Sequence, residues 1–351
     1  MPMMVWHALR NLDLHDVPAK ARALEDLGYD LIATTESKHD PFLPLTLVAE
    51  HTERVRFTTS VAIAFPRAPY ITANMAWDLA RYSGGRLVLG LGTQVKGHNE
   101  RRFSVPWGPP GPRLRDYIRC IRAIWRCWQT GARPDFEGEY YRYTLTNPDF
   151  DPGPIEHPDI PIVISAVNPY NSRLAGELCD GIAVHPVSSF RHQREVVLPR
   201  VFQGARRAGR DHAGLMVRSG GFIVTGRDEE ELAQSREVAR RRVAFYSSTR
   251  SYHGILALHG LEETAAELHR LSIEGRWDVM PSRVSDEMLE EFCAIGSWDE
   301  IASEMREKFT GLATAVNFEV EPRNPDEEAQ VREIVSELQQ IPTCAEVDAA
   351  A

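Results

Sequence analysis

Eight short apolar runs alternate with helical patterns along this 351-residue chain, and this alternation constrains the fold more than any single motif. Most of the runs are apolar throughout, as expected of parallel strands that are buried on both faces. Eight such units predict an α/β fold, a (β/α)8 TIM barrel, in preference to an open sheet. The predicted strands are Met4–Leu9, Asp30–Thr35, Val55–Ala64, Arg86–Leu91, Pro161–Ala166, Gly181–His185, Met216–Val224 and Ala313–Val320.

The alternation contains no domain boundary, so residues 1–351 are predicted to form a single domain. Two longer segments interrupt it. Residues 132–159, after strand four, are expected to form a small hairpin and loop over the barrel mouth, and residues 247–298, after strand seven, are expected to contain extra helices. Residues 325–340 have the apolar spacing of a docking helix, and the tail 343–351 is predicted to be mobile.

The composition argues against several functional classes. A net charge of -10 disfavours nucleic acid, whose phosphates require a basic surface. No apolar run approaches the roughly 20 residues of a membrane helix, and the N-terminus lacks the pattern of a signal peptide, so a cytoplasmic location is expected. Five cysteines without a Cys-x-x-Cys pair predict reduced thiols, and the histidine spacing predicts no bound metal.

A glycine-bearing loop follows the fourth strand, within the run Gly85–Gln94. Glycines at this place let backbone N–H groups approach an anionic group closely. Gly90, Gly92 and Val95 fail the third position of the dinucleotide-binding fingerprint, and His98 stands where a P-loop requires lysine. The glycines therefore belong to another kind of fold than a Rossmann or P-loop domain.

Polar residues follow several of the predicted strands. Because barrel enzymes place their chemistry at the carboxyl ends of the strands, these positions are the candidate site. They comprise the segments Thr35–Asp40, Thr93–Lys96 and Val167–Pro169, together with His185. A structural alternative exists for each, such as a surface ion pair between Glu36 and its neighbour Lys38.

Several short strings occur along the chain in a particular order, and the order is more specific than any one of them. They are Leu27-Gly28-Tyr29-Asp30, Glu36, His39-Asp40-Pro41-Phe42, Thr59-Ser60-Val61, Ser83-Gly84-Gly85-Arg86, Leu89-Gly90-Leu91-Gly92-Thr93, Leu174-Ala175-Gly176-Glu177 and Asp180-Gly181. In these strings, over roughly residues 13–320, the chain resembles the bacterial-luciferase-like family of flavin- and deazaflavin-dependent oxidoreductases. The run Thr93–His98 with Arg101-Arg102-Phe103 is most similar to the branch that uses coenzyme F420, a deazaflavin.

The resemblance implies roles for individual positions. Ser60-Val61 matches the place where the family bends strand three with a non-prolyl cis peptide behind the central ring of the cofactor. Glu36 and Ser37 match positions at the polar edge of the ring, and His185 matches a contact with cofactor or substrate. The loops whose backbone would hold the cofactor phosphate contain Gly92, Thr93, Gln94, Ala166, Val167 and Asn168.

Two positions depart from the pattern of the family. Several deazaflavin-dependent members have histidine at the position of Ser37 and a glutamate proton donor at the position of Val95. Their proton chemistry therefore does not transfer to this chain, and Glu36, His39 or His185 would have to act as the catalytic group. Histidine suits this task because its unperturbed pKa is about 6.5.

Three hypotheses for the function follow from the resemblance. The first is hydride transfer between F420 and a small organic substrate, with Lys96, Arg101 and Arg102 as a basic exit for the polyglutamyl tail of the cofactor. The second is an FMN-dependent monooxygenase, and the third is a non-catalytic cofactor-binding barrel. The expected partner is a small molecule, neither nucleic acid nor membrane, and the family implies a homodimer.

Overall fold

Eight parallel strands close into a barrel in the computed structural model, which describes residues 2–10 and 12–346. Each strand pairs with its successor along the chain, and the last strand pairs with the first. The predicted (β/α)8 barrel is thus confirmed. The strands, β1 to β8, are Met4–Leu9, Leu31–Thr34, Arg56–Thr59, Leu87–Gly92, Ile162–Ala166, Gly181–Val184, Met216–Arg218 and Ala315–Asn317.

Side chains along each strand alternate between two apolar layers, because successive residues of a strand point to opposite faces. In β1, Met4, Trp6 and Ala8 belong to the buried cluster inside the barrel. Val5 and Leu9 belong to the larger core between the strands and the surrounding helices. The barrel is therefore a filled core, with the indole of Trp6 as one of its largest inner side chains.

Helices cover the outside of the barrel. In the helix Pro110–Thr130, Ile118, Ile121 and Trp125 are buried, as the helical periodicity predicts. In the described part of the chain, no helix is both long enough and apolar enough to cross a membrane. The remaining helices of the outer layer are Val17–Asp26, Leu43–His51, Pro69–Tyr82, Lys96–Arg101, Pro169–Leu178, Phe190–His192, Gln193–Val197, Leu198–Arg207, Glu229–Ser247, Ile301–Phe309 and Pro325–Leu338.

The segment 132–159 contains a short antiparallel hairpin, Phe136–Glu137 with Arg142–Tyr143, and a single helical turn at Pro148–Phe150. A carboxylate oxygen of Asp116 accepts the backbone N–H groups of Tyr140 and Tyr141 at 2.7 and 2.9 Å. This contact fixes the hairpin against the helix Pro110–Thr130.

The predicted seventh strand, Met216–Val224, is in fact two strands. β7 ends at Arg218, and a second strand, Phe222–Gly226, leaves the barrel and pairs in parallel with Cys293–Ser297. Gly221 lies between the two at a φ of +98°, which glycine adopts without strain. The predicted strand runs through Arg218–Gly221, the polar and glycine residues that separate the two apolar runs.

The small two-stranded sheet carries the second long segment. Its helices are Arg250–Tyr252, His253–Ala257, Glu262–Ile273, Met280–Arg283 and Asp286–Phe292. They pack with the helix Glu229–Ser247 around a hydrophobic core separate from that of the barrel, which includes Phe222, Val243, Leu268 and Phe292. This segment therefore has its own core and stands beside the carboxyl end of β7.

Two of the family-like strings have a structural explanation. The guanidinium of Arg86 donates to the carbonyl oxygens of Ala49 at 2.8 Å and Val55 at 3.0 Å, and so joins the end of a helix to the start of β3. Asp180 accepts the backbone N–H of Ile162 at 2.9 Å, which ties β5 to β6. The presence of Arg86 and Asp180 in these strings is therefore explained by contacts that hold the barrel together.

The chain returns to the barrel after its last long helix. Thr343 and Cys344 are buried, and the Cys344 N–H donates to the Ala313 carbonyl at 3.0 Å. Within the predicted mobile tail, Thr343 and Cys344 are thus packed, whereas Glu346 is exposed. Residues 347–351 lie outside the described residues.

Candidate functional site

A cavity of about 1110 Å³ opens at the carboxyl ends of the barrel strands. This is the end at which barrel enzymes bind their substrates. One part of its lining comes from the strand ends and includes Trp6, Ser60, Val61, Ser165, Arg218 and Asn317. The other part comes from segments that follow β7 and β8: the strand Phe222–Gly226, the helix Glu229–Ser247 and residues 319–323.

The peptide bond between Ser60 and Val61 is cis, as the resemblance implies. Gly92 of β4 lies against this bond. A Cβ atom at Gly92 would come within 2.6 Å of Val61 Cγ2 and 2.8 Å of Ser165 Oγ, so only glycine fits there without displacing a neighbour. We call Ser60, Val61, Gly92 and Ser165 the glycine wall of the cavity.

Glu36 is held behind the glycine wall by an ion pair. Its carboxylate accepts the Ile63 N–H at 2.6 Å and pairs with Arg67 at 2.7 Å. Arg67 also pairs with Asp40 at 2.9 Å. The carboxylate therefore fixes the short strand Ala62–Ile63 directly after the cis peptide.

Ser37 and His39 lie on the exposed loop after β2. Together with Thr35 and Asp40 they border a much smaller second cavity of about 20 Å³. Thr35 also lines the large cavity, so the two spaces are neighbours. The structure does not bring His39 together with His185, which lies at the large cavity.

His185 lines the large cavity directly after β6. Its ring stacks on Tyr252 with centroids 5.0 Å apart and meets the edge of Tyr246 at 4.8 Å. Burial lowers the pKa of His185 to about 4, so the imidazole is neutral near pH 7. Its Nδ1 accepts the Val187 N–H at 3.2 Å, and the proton of the neutral ring therefore resides on Nε2.

The loop after β4 is held by side-chain bonds to its own backbone. Gln94 has a φ of +55°, a region that residues other than glycine seldom occupy, and its Oε1 accepts the Val95 N–H at 2.9 Å. The buried Asn99 donates from Nδ2 to the Thr93 carbonyl at 3.0 Å. The loop therefore has a defined conformation in which Gly92 lies beside the cavity.

The loop after β5 leads into the helix Pro169–Leu178. Asn168 is the N-cap of this helix, because its Oδ1 accepts the Asn171 N–H at 2.9 Å. Ala166 is buried and Val167 is half-buried. The side chain of Asn168 thus has a structural role whether or not its loop also holds a phosphate.

Arg218, which sequence reasoning did not nominate, lies at the end of β7 and lines the cavity. Only 2% of its surface is exposed. Its Nη2 donates to Ser60 Oγ at 2.8 Å, and its guanidinium lies 4.5 Å from the centre of a Trp6 ring. The signal that would have identified it is its place at a strand end, which the prediction of a longer seventh strand obscured.

The cavity is also rich in arginine. We call Arg10, Arg218, Arg227, Arg242 and Arg323 the arginine wall. Three glutamates line the same space, and each is already in an ion pair: Glu319 with Arg10, Glu321 with Lys20, and Glu231 with Arg227 and Arg323.

Of the nominated residues, Ser60, Val61 and His185 line the large cavity. Gly92 lies immediately behind this lining, and Glu36 holds the segment that follows the cis peptide. Lys96, Arg101 and Arg102 lie on or next to the short helix Lys96–Arg101 as exposed side chains, with Lys96 at 4.0 Å from Glu100. The remaining nominated residues, Ser37, His39, Thr93, Gln94, Ala166, Val167 and Asn168, belong to the surrounding loops and strand ends.

A family model described as luciferase-like monooxygenase matches residues 2–315. The chain belongs to this family. An uncharacterized protein of Mycobacterium tuberculosis is 44% identical to it over 296 residues, which cover 84% of this chain and 87% of the relative. The 5,10-methylenetetrahydromethanopterin reductase of Archaeoglobus fulgidus is 26% identical over 335 residues, covering 93% and 96%.

A solved structure also resembles this luciferase-like chain along its whole length. It is the coenzyme F420-dependent tetrahydromethanopterin reductase from Methanopyrus kandleri, with a TM-score of 0.77, 22% identity, and coverage of 96% of this chain and 99% of that one. At this identity the likeness concerns the fold. The family match confirms the resemblance inferred from the sequence and places the chain among oxidoreductases.

Proposed function

We propose that this luciferase-like protein transfers a hydride between coenzyme F420 and a small organic substrate. The observation that carries the proposal is the cavity of about 1110 Å³ with the cis peptide Ser60-Val61 in its wall. Gly92 lets Val61 and Ser165 pack closely at this wall, where a larger residue would displace them. The names of the Archaeoglobus and Methanopyrus relatives, one a reductase and the other F420-dependent, support this choice of cofactor and chemistry.

The residues present fit such a cofactor. The cis peptide and Val61 would form a flat surface behind the ring, and the fixed loops around Thr93, Gln94 and Asn168 would hold the phosphate with backbone N–H groups. When bound, F420 would supply hydride exchange at its ring carbon C5. The protein orients the substrate in the cavity and keeps water away, which lowers the barrier through positioning.

Among the three nominated catalytic residues, His185 is best placed to touch a substrate. Its neutral ring presents an Nε2–H donor to whatever the cavity holds, but at pH 7 it has no excess proton to give. Glu36 would act as a positioning residue through the Ile63 N–H and Arg67. His39 and Ser37 remain candidates from the neighbouring small cavity.

The second candidate function is an FMN-dependent monooxygenase, which the description of the matching family favours. A non-catalytic barrel is the weakest alternative, since the cavity is open and polar groups line it. Cytoplasmic location and homodimer formation remain expectations from the sequence and the family.

The deciding experiment is a side-by-side fluorescence titration of the purified protein with oxidised F420 and with FMN. Selective F420 binding, followed by substrate-dependent oxidation of reduced F420 without oxygen uptake, is the expected result. Selective FMN binding with oxygen consumption would replace the proposal by the monooxygenase.

A matched pair of variants tests the location of the cofactor. Gly92→Leu would displace Val61 and Ser165 from the cavity wall, because even a Cβ at this position comes within 2.6 and 2.8 Å of them, and we expect it to abolish F420 binding. Gly108→Leu is the control, because a Cβ at Gly108 has no neighbour within 4 Å. Equal F420 affinity in both variants would show that the glycine wall is not part of the cofactor site.

A further inference from the structure

The guanidinium of Arg218 is buried in the cavity wall with part of its hydrogen-bonding capacity unused. Nη2 is bonded to Ser60 Oγ, but Nε and Nη1 have no hydrogen-bond partner among the residues that the structure describes. The ring of Trp6 covers one face of the group. A side chain that is 2% exposed cannot satisfy these donors with bulk water.

Another partly buried arginine in the same barrel shows what a structural role looks like. Arg86 directs its guanidinium at three carbonyl oxygens and at Thr52 Oγ1, all between 2.8 and 3.0 Å. The described part of the chain offers Arg218 a single hydroxyl acceptor. Arg218 is therefore not explained as a clamp between elements of the fold.

No carboxylate of the described residues forms an ion pair with Arg218. Glu319 is the acidic group whose field acts on Arg218, but both of its oxygens are bonded to Arg10 at 2.9 and 3.0 Å. The other two carboxylates of the cavity, Glu231 and Glu321, are also paired. Burial lowers the pKa of Arg218 to about 10, which leaves it charged at pH 7.

Buried charges in proteins are ordinarily paired, because the loss of hydration is compensated only by a counter-charge or hydrogen bonds. A guanidinium presents several N–H donors that match the oxygens of a carboxylate or a phosphoryl group. Arg218 lies in the cavity wall with two buried, unbonded donors, and it is thus a receptor for an anionic group that comes close enough to reach them. Arg242, exposed at the rim and without an ion-pair partner among the described residues, adds to the positive field at the entrance.

We propose that the substrate carries an anionic carboxylate or phosphoryl group, and that Arg218 binds this group inside the cavity. The inference rests on the proposed function, because it assigns the substrate class of the same site. It places the anionic end of the substrate at the end of β7, where the Arg218 guanidinium reaches Ser60 of the cis peptide. Arg218 would then determine specificity by rejecting neutral analogues, whose binding leaves the guanidinium unpaired.

Binding of simple probes tests this assignment. Benzoate, its neutral analogue benzamide, and inorganic phosphate are titrated by calorimetry into the full-length protein, with and without oxidised F420. We expect benzoate or phosphate to bind the wild type at least tenfold more tightly than Arg218→Gln, with Arg218→Lys in between and benzamide unaffected by either change. Whichever anion binds more tightly identifies the group as carboxylate or phosphoryl. Arg241→Gln is the matched control, because Arg241 is exposed and outside the cavity lining.

Three results would overturn the proposal: no binding of either anion to the wild type, equal binding to Arg218→Gln, or loss of F420 affinity in Arg218→Gln and Arg218→Lys with anion binding unchanged. The last result would assign Arg218 to the cofactor. Failure of F420 to bind any variant, with anion binding intact and dependent on Arg218, would refute the proposed function alone. Arg218→Lys keeps the charge and so preserves the test if Arg218→Gln does not fold.

Discussion

The glycine wall and the arginine wall face the same cavity but keep their shapes by different means. The glycine wall is built from backbone and small side chains, with Gly92 in close contact with Val61 and Ser165. The arginine wall is built from long charged side chains, three of which are held by ion pairs, such as that between Arg323 and Glu231 at 2.8 Å. One wall depends on close packing, and the other on electrostatics.

The comparison of the two walls shows which parts of a functional site can be identified from a sequence. Close backbone approach tolerates only glycine, and so it leaves a local string, Gly90-Leu91-Gly92, in the fourth strand. The members of the arginine wall come from distant parts of the chain. Arg10 directly follows β1, Arg218 ends β7, and Arg227 follows the strand Phe222–Gly226. Arg242 lies in the helix Glu229–Ser247, and Arg323 lies after β8. Because these arginines lie far apart in the chain, they form no local motif, and the sequence does not indicate that their side chains line the same cavity.

The largest expected effect tests the packing of β4, the strand that carries Gly92 of the glycine wall. A Cβ at Gly90 would overlap the Thr59 carbonyl oxygen, which is main chain of the neighbouring strand and cannot turn away. We expect Gly90→Ala to lower the free energy of unfolding by about 2–3 kcal/mol in urea denaturation. Gly108→Ala, with open space around it, serves as the control. Equal stability of both variants would show that β3 and β4 separate easily.

The next prediction concerns His185, beside the arginine wall. Its pKa in the folded protein, about 4, lies below the ordinary value, so the unfolded chain binds the extra proton first as the pH falls. The stabilisation is complete above about pH 6.5 and is lost as the pH falls towards 4. Between pH 7 and 5 the loss amounts to about 1–2 kcal/mol.

Denaturation of wild type and His185→Phe at several pH values measures this contribution. The phenyl ring keeps the packing against Tyr246 and Tyr252 but does not titrate. We expect a shallower decline of stability below pH 6.5 in the variant. Parallel curves for the two proteins would mean that His185 titrates normally.

A smaller effect separates the structural role of Asn168 from a role in binding. Loss of the N-cap in Asn168→Ala should cost about 1 kcal/mol of stability, and Asn168→Ser should restore most of it. If the loop holds the cofactor phosphate through its backbone, F420 affinity follows the same order. Unchanged F420 affinity in both variants would show that this loop does not hold the cofactor phosphate.

The smallest expected effect concerns the rim of the arginine wall. Arg242 is exposed and has no ion-pair partner among the described residues, so Arg242→Gln should change stability by less than about 0.5 kcal/mol. It should instead weaken benzoate or phosphate binding at low salt, with the difference disappearing at high salt. A loss of affinity independent of salt would indicate direct contact with the anion.

Much of the barrel follows from local patterns. Met4–Leu9 was predicted with the bounds that the structure has, because its residues are apolar on both faces. The seventh strand was overextended, because Phe222–Gly226 is also apolar although it belongs to another sheet. The apolar pattern of a strand indicates that the strand is buried, but it does not indicate in which of the two hydrophobic cores the strand lies.

The candidate site was only partly predictable for a related reason. Ser60 and Val61 were identified through the family strings, and both line the cavity. Glu36 was identified as polar and at a strand end, yet its partner Arg67, which fixes its role, is 31 positions away. The neighbouring residues in the sequence indicate that a residue lies at a strand end. Its ion-pair partner, by contrast, can lie far away in the chain.

The sequence by itself determined the barrel, the family and the position of the glycine wall, since each depends on the types of residues close together in the chain. The tertiary structure decided the neutral state of His185, the unpaired state of Arg218 and the composition of the arginine wall. Burial and ion pairing depend on distances between residues that are far apart in the chain, and these distances are fixed only when the barrel has folded.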